Sequence, residues 1–172
     1  MNRIGIICYS RSGTGRMVAQ QLAKLGNWPV HPIEDERPRV GLKGDIRCMM
    51  DILARRLPSI VYDGPALDSF DHVILIAPVW LRSIAAPMRT FLQREGAGLR
   101  EYSVICVFSG YGGLRAVDDI VTILKAKPRF ILLLKQYEVL AEECDEALFR
   151  LKEHFDKGWD IDTAPQEISI VN

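Results

Sequence analysis

Three short stretches of this chain are apolar without a break: Ile-Gly-Ile-Ile-Cys at 4–8, Val-Ile-Leu-Ile-Ala at 73–77 and Val-Ile-Cys-Val-Phe at 104–108. A strand with one face in water alternates apolar and polar residues, whereas a strand covered on both faces has no need to. Runs this short and this uniform read as central strands of a sheet with helices on both sides. Longer stretches with apolar residues at helical spacing lie between and after them, over 14–25, 86–94, 114–125 and 142–155, with further short runs at 28–33 and 130–135. The alternation predicts an α/β fold, a three-layer α-β-α sandwich around a five-stranded parallel sheet. It spans 1–172 as a single domain, with 157–172 as a C-terminal extension whose run at 168–171 either adds an edge strand or lies against the body.

The segment 34–58 is less regular. Arg37, Pro38, Arg39 and Gly41 form a polar connection, after which Ile46, Met49, Met50 and Leu53 recur at helical spacing and predict a helix over 45–57 capped by Asp45. With 172 residues, 48% of them hydrophobic, the chain can bury a substantial core. Its 22 basic and 22 acidic side chains cancel, so no overall field draws it to nucleic acid, to an anionic membrane or to a basic protein. Cys8, Cys48, Cys106 and Cys144 lie far apart, without metal-ligand or C-x-x-C spacing, and read as reduced, mostly buried thiols. The opening run leads straight into a hydroxyl-rich turn, as a core strand does and a signal peptide does not, and no stretch approaches the ~18 to 20 apolar residues of a membrane span. The expected location is the cytoplasm, with no nucleic-acid or membrane partner and no metal.

Five parallel strands with interleaved helices leave two common arrangements, the Rossmann order and the flavodoxin-like order. Both place ligands at the carboxyl ends of the strands near the switch point. The loops after the first, third and fourth strands are therefore the candidates. After the first strand come Ser10, Arg11, Ser12, Gly13, Thr14, Gly15 and Arg16, then Met17, Val18, Leu22 and Leu25 as the inward stripe of a helix. Hydroxyls, glycines and a helix N-terminus in one turn suit a phosphate monoester, because unpaired amides at the positive helix end meet hydroxyl donors where the backbone can approach closely. The helix-end term is worth ~0.3 to 1 kcal/mol per charge, so the hydrogen bonds must carry most of the affinity. The same serines also suit a plain turn and cap. Arg11 and Arg16 are either cationic companions of the phosphate or solvated side chains.

Rival phosphate motifs fit less well. No Gly-Lys-Ser/Thr occurs, which excludes a P-loop. A dinucleotide fingerprint would start its glycines directly at the strand end, and Val18 is too bulky for the third glycine's packing role, although Glu34 and Asp35 fall about where a ribose-binding acid would sit.

Residues 7–22, I-C-Y-S-R-S-G-T-G-R-M-V-A-Q-Q-L, resemble the FMN signature of the flavodoxin family, which includes electron carriers and NAD(P)H-dependent oxidoreductases. The resemblance covers most of the chain and implies the flavodoxin-like strand order 2-1-3-4-5, with FMN as cofactor. Gly15 stands where the family usually has threonine, one hydroxyl donor fewer. After the third strand, Pro78, Val79, Trp80, Leu81 and Arg82 resemble the family's Pro-Val-Trp segment, whose loop supports the flavin ring. Trp80 offers a flat stacking face, or else covers the rim of the core. Arg82 and Ser83 replace the family's frequent glycine and threonine. After the fourth strand, Ser109, Gly110, Tyr111, Gly112 and Gly113 form a loop able to lie along the flavin's polar edge with Tyr111 stacking or shielding, or to serve as a structural turn.

In such proteins the cofactor carries the redox chemistry, so the lack of an evident catalytic constellation around His31, His72 or His154 is expected. Electron-carrier flavodoxins are markedly acidic, whereas this chain is neutral with arginines at 37, 39, 47, 55 and 56. The resemblance and the charge together imply an FMN-dependent oxidoreductase with NAD(P)H as donor and a quinone or similar small acceptor. The alternatives are an electron carrier with a redox partner protein, or a flavin-free interaction module. A Rossmann-type dehydrogenase is weakened by Val18. The arginine-rich connection would bind the phosphates of NADPH or simply be solvated, and a homodimer is left open.

Overall fold

The computed structural model describes residues 3–156 and 166–169. Its sheet is built from β1 (Ile4–Tyr9), β2 (Val30–Asp35), β3 (Ile60–Val61), β4 (His72–Trp80), β5 (Ser83–Ile84), β6 (Tyr102–Phe108), β7 (Phe130–Lys135) and β8 (Gln166–Ser169). The strands lie in the order β3-β2-β1-β4-β6-β7-β8. The inner five, β2-β1-β4-β6-β7, are parallel and reproduce the expected order 2-1-3-4-5. The sheet is wider than five strands. β8 adds a sixth parallel strand beside β7, while the two-residue strands β3 and β5 pair antiparallel with β2 and β4. The edge-strand alternative for the late run thus holds at 166–169; residues 157–165 and 170–172 of the expected extension lie outside the described residues.

The helices are α1 (Thr14–Gly26), α2 (Gly41–Leu53), α3 (Ala86–Glu95), α4 (Gly113–Leu124), α5 (Gln136–Leu140) and α6 (Asp145–Asp156). Strand side chains alternate between two cores. Ile7, Tyr9, Leu75, Val104 and Cys106 face α3 and α4, meeting Met88, Phe91, Ala116 and Ile120. Ile6, Cys8, Ile74, Ile76, Ile105 and Leu132 face the opposite layer, meeting Val18, Ala19 and Leu22 of α1 and Leu148 and Leu151 of α6. The uninterrupted apolar runs are explained by this double burial.

Local expectations fail where packing overrides periodicity. In α1 the inward stripe is Val18, Ala19 and Leu22; Met17 and Leu25 are exposed. The helix expected over 142–155 is α6, which starts at Asp145, with the short α5 preceding it over Gln136–Leu140, and β2 starts at Val30 rather than Trp28. The largest correction is α2, which begins at Gly41 after Val40, so Asp45 sits within the helix and is not its cap. Its apolar residues Ile46, Met49, Met50 and Leu53 face outward, and Cys48, Asp51 and Ile52 face inward. Two contacts impose this rotation. Arg39 pairs with Asp51 at 2.7 Å. Gly44 lies so close to the Arg39 backbone that a Cβ there would stand 2.5 Å from its carbonyl carbon.

Candidate functional site

The carboxyl ends of β1, β4, β6 and β7 converge on one cleft, lined by Ser10, Ser12, Thr14 and Gly15, by Pro78, Val79 and Trp80, and by Val107, Phe108, Ser109 and Gln136. Its floor is the β1–α1 turn. Gly13 takes φ +89°, a left-handed conformation that brings the chain abruptly into α1, and it offers no capping side chain. The Met17 amide closes the first helical turn on the Gly13 carbonyl at 3.0 Å, so the amides of Thr14, Gly15 and Arg16 precede any intrahelical acceptor. They form the positive end of the helix dipole.

Hydroxyls surround these amides. Ser12 Oγ and Thr14 Oγ1 are 3.2 Å apart, and Gln136 Nε2 donates to Thr14 Oγ1 at 3.3 Å. Ser109 Oγ in turn donates to Gln136 Oε1 at 2.5 Å. One chain of hydrogen bonds therefore ties the loop after β1 to the loops after β6 and β7. Gln136 was not among the expected site residues. Its position directly after the fifth parallel strand, on the functional edge of the sheet, is the signal that would have found it. Buried Glu138 fixes that corner by accepting from the Lys135 amide at 2.8 Å. Gly15 also has a reason: a Cβ there would stand 3.3 Å from Ser10 Oγ, so the glycine leaves the Ser10 hydroxyl its place in the cleft.

The remaining expected residues lie around the cleft rather than along its wall. Arg11 turns toward α2, pairing with Asp45 at 2.5 Å and donating to the Arg39 carbonyl at 3.0 Å. Arg16 pairs with Glu34 at 2.9 Å on the surface. Leu81 and Arg82 form the two-residue turn between β4 and β5, with φ of 48° and 64°, the type I′ pattern of a tight hairpin. Ser83 and the Ile84 amide anchor that hairpin to Asp119 of α4 at 2.5 and 3.1 Å. Gly110 and Tyr111 are exposed, and Gly112 and Gly113 lead into α4.

The second and third loops meet directly. Gly112 has φ +103°, and a Cβ there would fall 2.7 Å from Arg82 Cα. The Arg82 guanidinium sits 5.3 Å from the centre of the Tyr111 ring. Arg82 is thus matched by a glycine opposite it, and the loops after β4 and β6 pack against each other.

Behind Trp80 lies a buried polar cluster. Tyr9 donates its hydroxyl to Asp35 at 2.7 Å and packs its ring edge-on to Trp80, with centroids 5.7 Å apart. The Arg39 side chain is fully buried between Asp35 at 2.8 Å and Asp51 at 2.7 Å, with its guanidinium 5.8 Å from the Trp80 ring centre. Burial opposes the charge on Arg39, but hydrogen bonds to the two carboxylates outweigh it and hold its pKa above the usual arginine value. Burial and the Asp35 hydrogen bond likewise push the Tyr9 phenol upward. Two expectations are corrected here. Arg39 is enclosed and cannot reach a nucleotide phosphate, and Arg47 leans on Asp51 and the Arg37 carbonyl. Asp35, which falls about where a ribose-binding acid would sit, is consumed by Tyr9 and Arg39.

All four cysteines are buried and unpaired, and burial pushes the thiols of Cys8 and Cys106 up to about 12, so neither is a nucleophile. Among the described residues, no helix is long and apolar enough to cross a membrane.

No family model matches the sequence, and no curated protein matches it. Solved structures match its fold. A flavoprotein from Lactobacillus acidophilus in complex with FMN is 16% identical, with a TM-score of 0.66 over 82% of this chain and 98% of that one. A Bacteroides uniformis protein assigned as a flavoprotein is 14% identical, with a TM-score of 0.73 over 88% and 98%. An NAD(P)H:quinone oxidoreductase from Methanothermobacter marburgensis is 11% identical, with a TM-score of 0.54 over 91% and 97%. The likeness is one of fold, and with the strand order above the fold is flavodoxin-like.

Proposed function

We propose that the protein binds FMN noncovalently, gripping its terminal phosphate in the turn 10–16, and acts as an NAD(P)H-dependent oxidoreductase that passes electrons to a quinone or similar small acceptor. The observation that carries this reading is the start of α1. Three amides without intrahelical acceptors face a turn with the hydroxyls of Ser10, Ser12 and Thr14, and nothing lies within 4 Å of where a Gly13 Cβ would be. A phosphate dianion suits such a donor set at a positive helix end better than a neutral ligand does. One fold neighbour holds FMN and another is a quinone oxidoreductase, which agrees with the reading.

When bound, FMN supplies the hydride and electron chemistry. The chain's own residues position it. Trp80, braced by Tyr9 and Arg39, gives a rigid aromatic wall. Gln136 orients the hydroxyls of Thr14 and Ser109 across the cleft. A chain whose 22 basic and 22 acidic groups cancel favours a small acceptor over docking on a basic redox protein.

The Arg82–Gly112 contact favours one other reading, a flavodoxin-fold module that holds no flavin, because it narrows the space beside the ring loop. Titrating FMN into the purified protein while following flavin fluorescence separates the two. Binding followed by reduction with NADH or NADPH and reoxidation by a quinone is the expected result; FMN fluorescence unchanged at saturating protein selects the flavin-free module.

A further inference from the structure

Away from that cleft, between α3 and α4, lies a second cavity of about 360 Å³ lined by Arg55, Arg89, Gln93, Asp119 and Thr122 among others. Its charge does not balance. Arg89 is buried at 8% exposure, and its Nη2 donates to Ser83 Oγ at 2.9 Å while its Nη1 is buried with no partner. Arg55 brings a second guanidinium to the same space from just beyond α2. Asp119 is the one carboxylate lining the cavity, and its Oδ2 already accepts from Ser83 and the Ile84 amide. Among the described residues no carboxylate stands within ion-pairing distance of either arginine, whereas Arg3, Arg11, Arg16, Arg39 and Arg129 all have one. Burial and the neighbouring Arg55 charge work against the charged form of Arg89 more than Asp119 supports it. A buried cation with an orphan donor facing a second cation is costly unless an anion is supplied from outside.

We propose that this cavity is an oxyanion site, in which a phosphate-type dianion is held between the guanidinium groups of Arg89 and Arg55. Planar forks of donors suit such an anion, and Gln93 and Thr122 add neutral donors at the rim. Through Ser83 the site touches the hairpin that carries Trp80, yet it shares no residue with the FMN reading and stands without it. The anion is either a free ion or a phosphate borne by a nucleotide.

The test uses the full chain with and without FMN. Inorganic phosphate is titrated by calorimetry and by thermal shift against chloride at equal ionic strength, and adenosine 2′-phosphate is titrated against adenosine. Saturable phosphate binding is expected, weakened roughly tenfold or more in Arg55→Glu, an exposed position whose replacement leaves the core intact. Arg89→Met removes the buried donor and has the same expected effect. Tighter binding of adenosine 2′-phosphate than of inorganic phosphate, lost in Arg55→Glu, identifies a nucleotide-borne source; equal or weaker binding identifies the free ion. Phosphate responses identical in wild type and Arg55→Glu, or indistinguishable from chloride, overturn the proposal. FMN affinity unchanged in Arg55→Glu keeps this result separate from the cofactor assignment.

Discussion

The turn from β1 into α1 and the corner from β2 into α2 lie side by side on the carboxyl edge of the sheet, and both are rich in polar residues. In the first, donors outnumber acceptors: three helix-start amides and several hydroxyls face a cleft, while its two arginines have been drawn off to Asp45 and Glu34. In the second, the acceptors come from the chain itself, with Asp35 and Asp51 closing on Arg39. Similar residue types thus give opposite outcomes. What separates a ligand site from a structural cluster is whether the fold brings its own counter-charges, and that depends on contacts between residues distant in sequence.

The most damaging challenge to this contrast is Arg39→Met. It leaves two buried carboxylates without their cation and should cost about 3–5 kcal/mol in urea denaturation; a loss below about 1 kcal/mol would mean that the corner does not hold α2 in place. His72, at the other end of the sheet, tests the same idea of self-satisfied polarity. Its Nε2 lies 2.9 Å from Ser103 Oγ, and burial, with the Arg129 charge, lowers its pKa from 6.5 to about 3. Below pH 6.5 the unfolded chain takes up a proton that the folded protein declines until about pH 3, so stability falls as pH falls through that window. The expected loss is about 2 kcal/mol at pH 5 relative to pH 7, and His72→Gln should flatten the profile.

Smaller effects sharpen the comparison within the cleft. Gly112→Ala forces a side chain against Arg82 at a positive φ and should destabilise by about 1–3 kcal/mol, with Arg82→Gly in the same chain recovering part of it. Trp80→Leu keeps the wall apolar but removes the aromatic face. It should weaken FMN binding roughly tenfold, about 1.4 kcal/mol, with little change in the denaturation midpoint.

The parallel sheet was legible because double burial writes itself into sequence as unbroken apolar runs, and the β1–α1 turn because hydroxyls, glycines and a helix start are contiguous. The α2 corner was not. Periodicity marks a helix through Ile46, Met49 and Leu53 but not which face it buries; the Arg39–Asp51 pair and the close approach at Gly44 turn Cys48, Asp51 and Ile52 inward. Gln136 lies 122 residues from the hydroxyl it orients, Thr14, and only the folded sheet brings them together. Arg82 and Gly112 read separately as a departure and a turn glycine; in the fold they are one contact.

Comparing FMN with riboflavin, which lacks the phosphate, by fluorescence titration of the wild type and of the triple variant Ser10→Ala/Ser12→Ala/Thr14→Ala tests the grip on the phosphate most directly. FMN should bind the wild type roughly 100-fold or more tightly than riboflavin, and the triple variant should lose most of that preference. Equal affinity for the two flavins in the wild type, or a preference untouched by removing the hydroxyls, would contradict it.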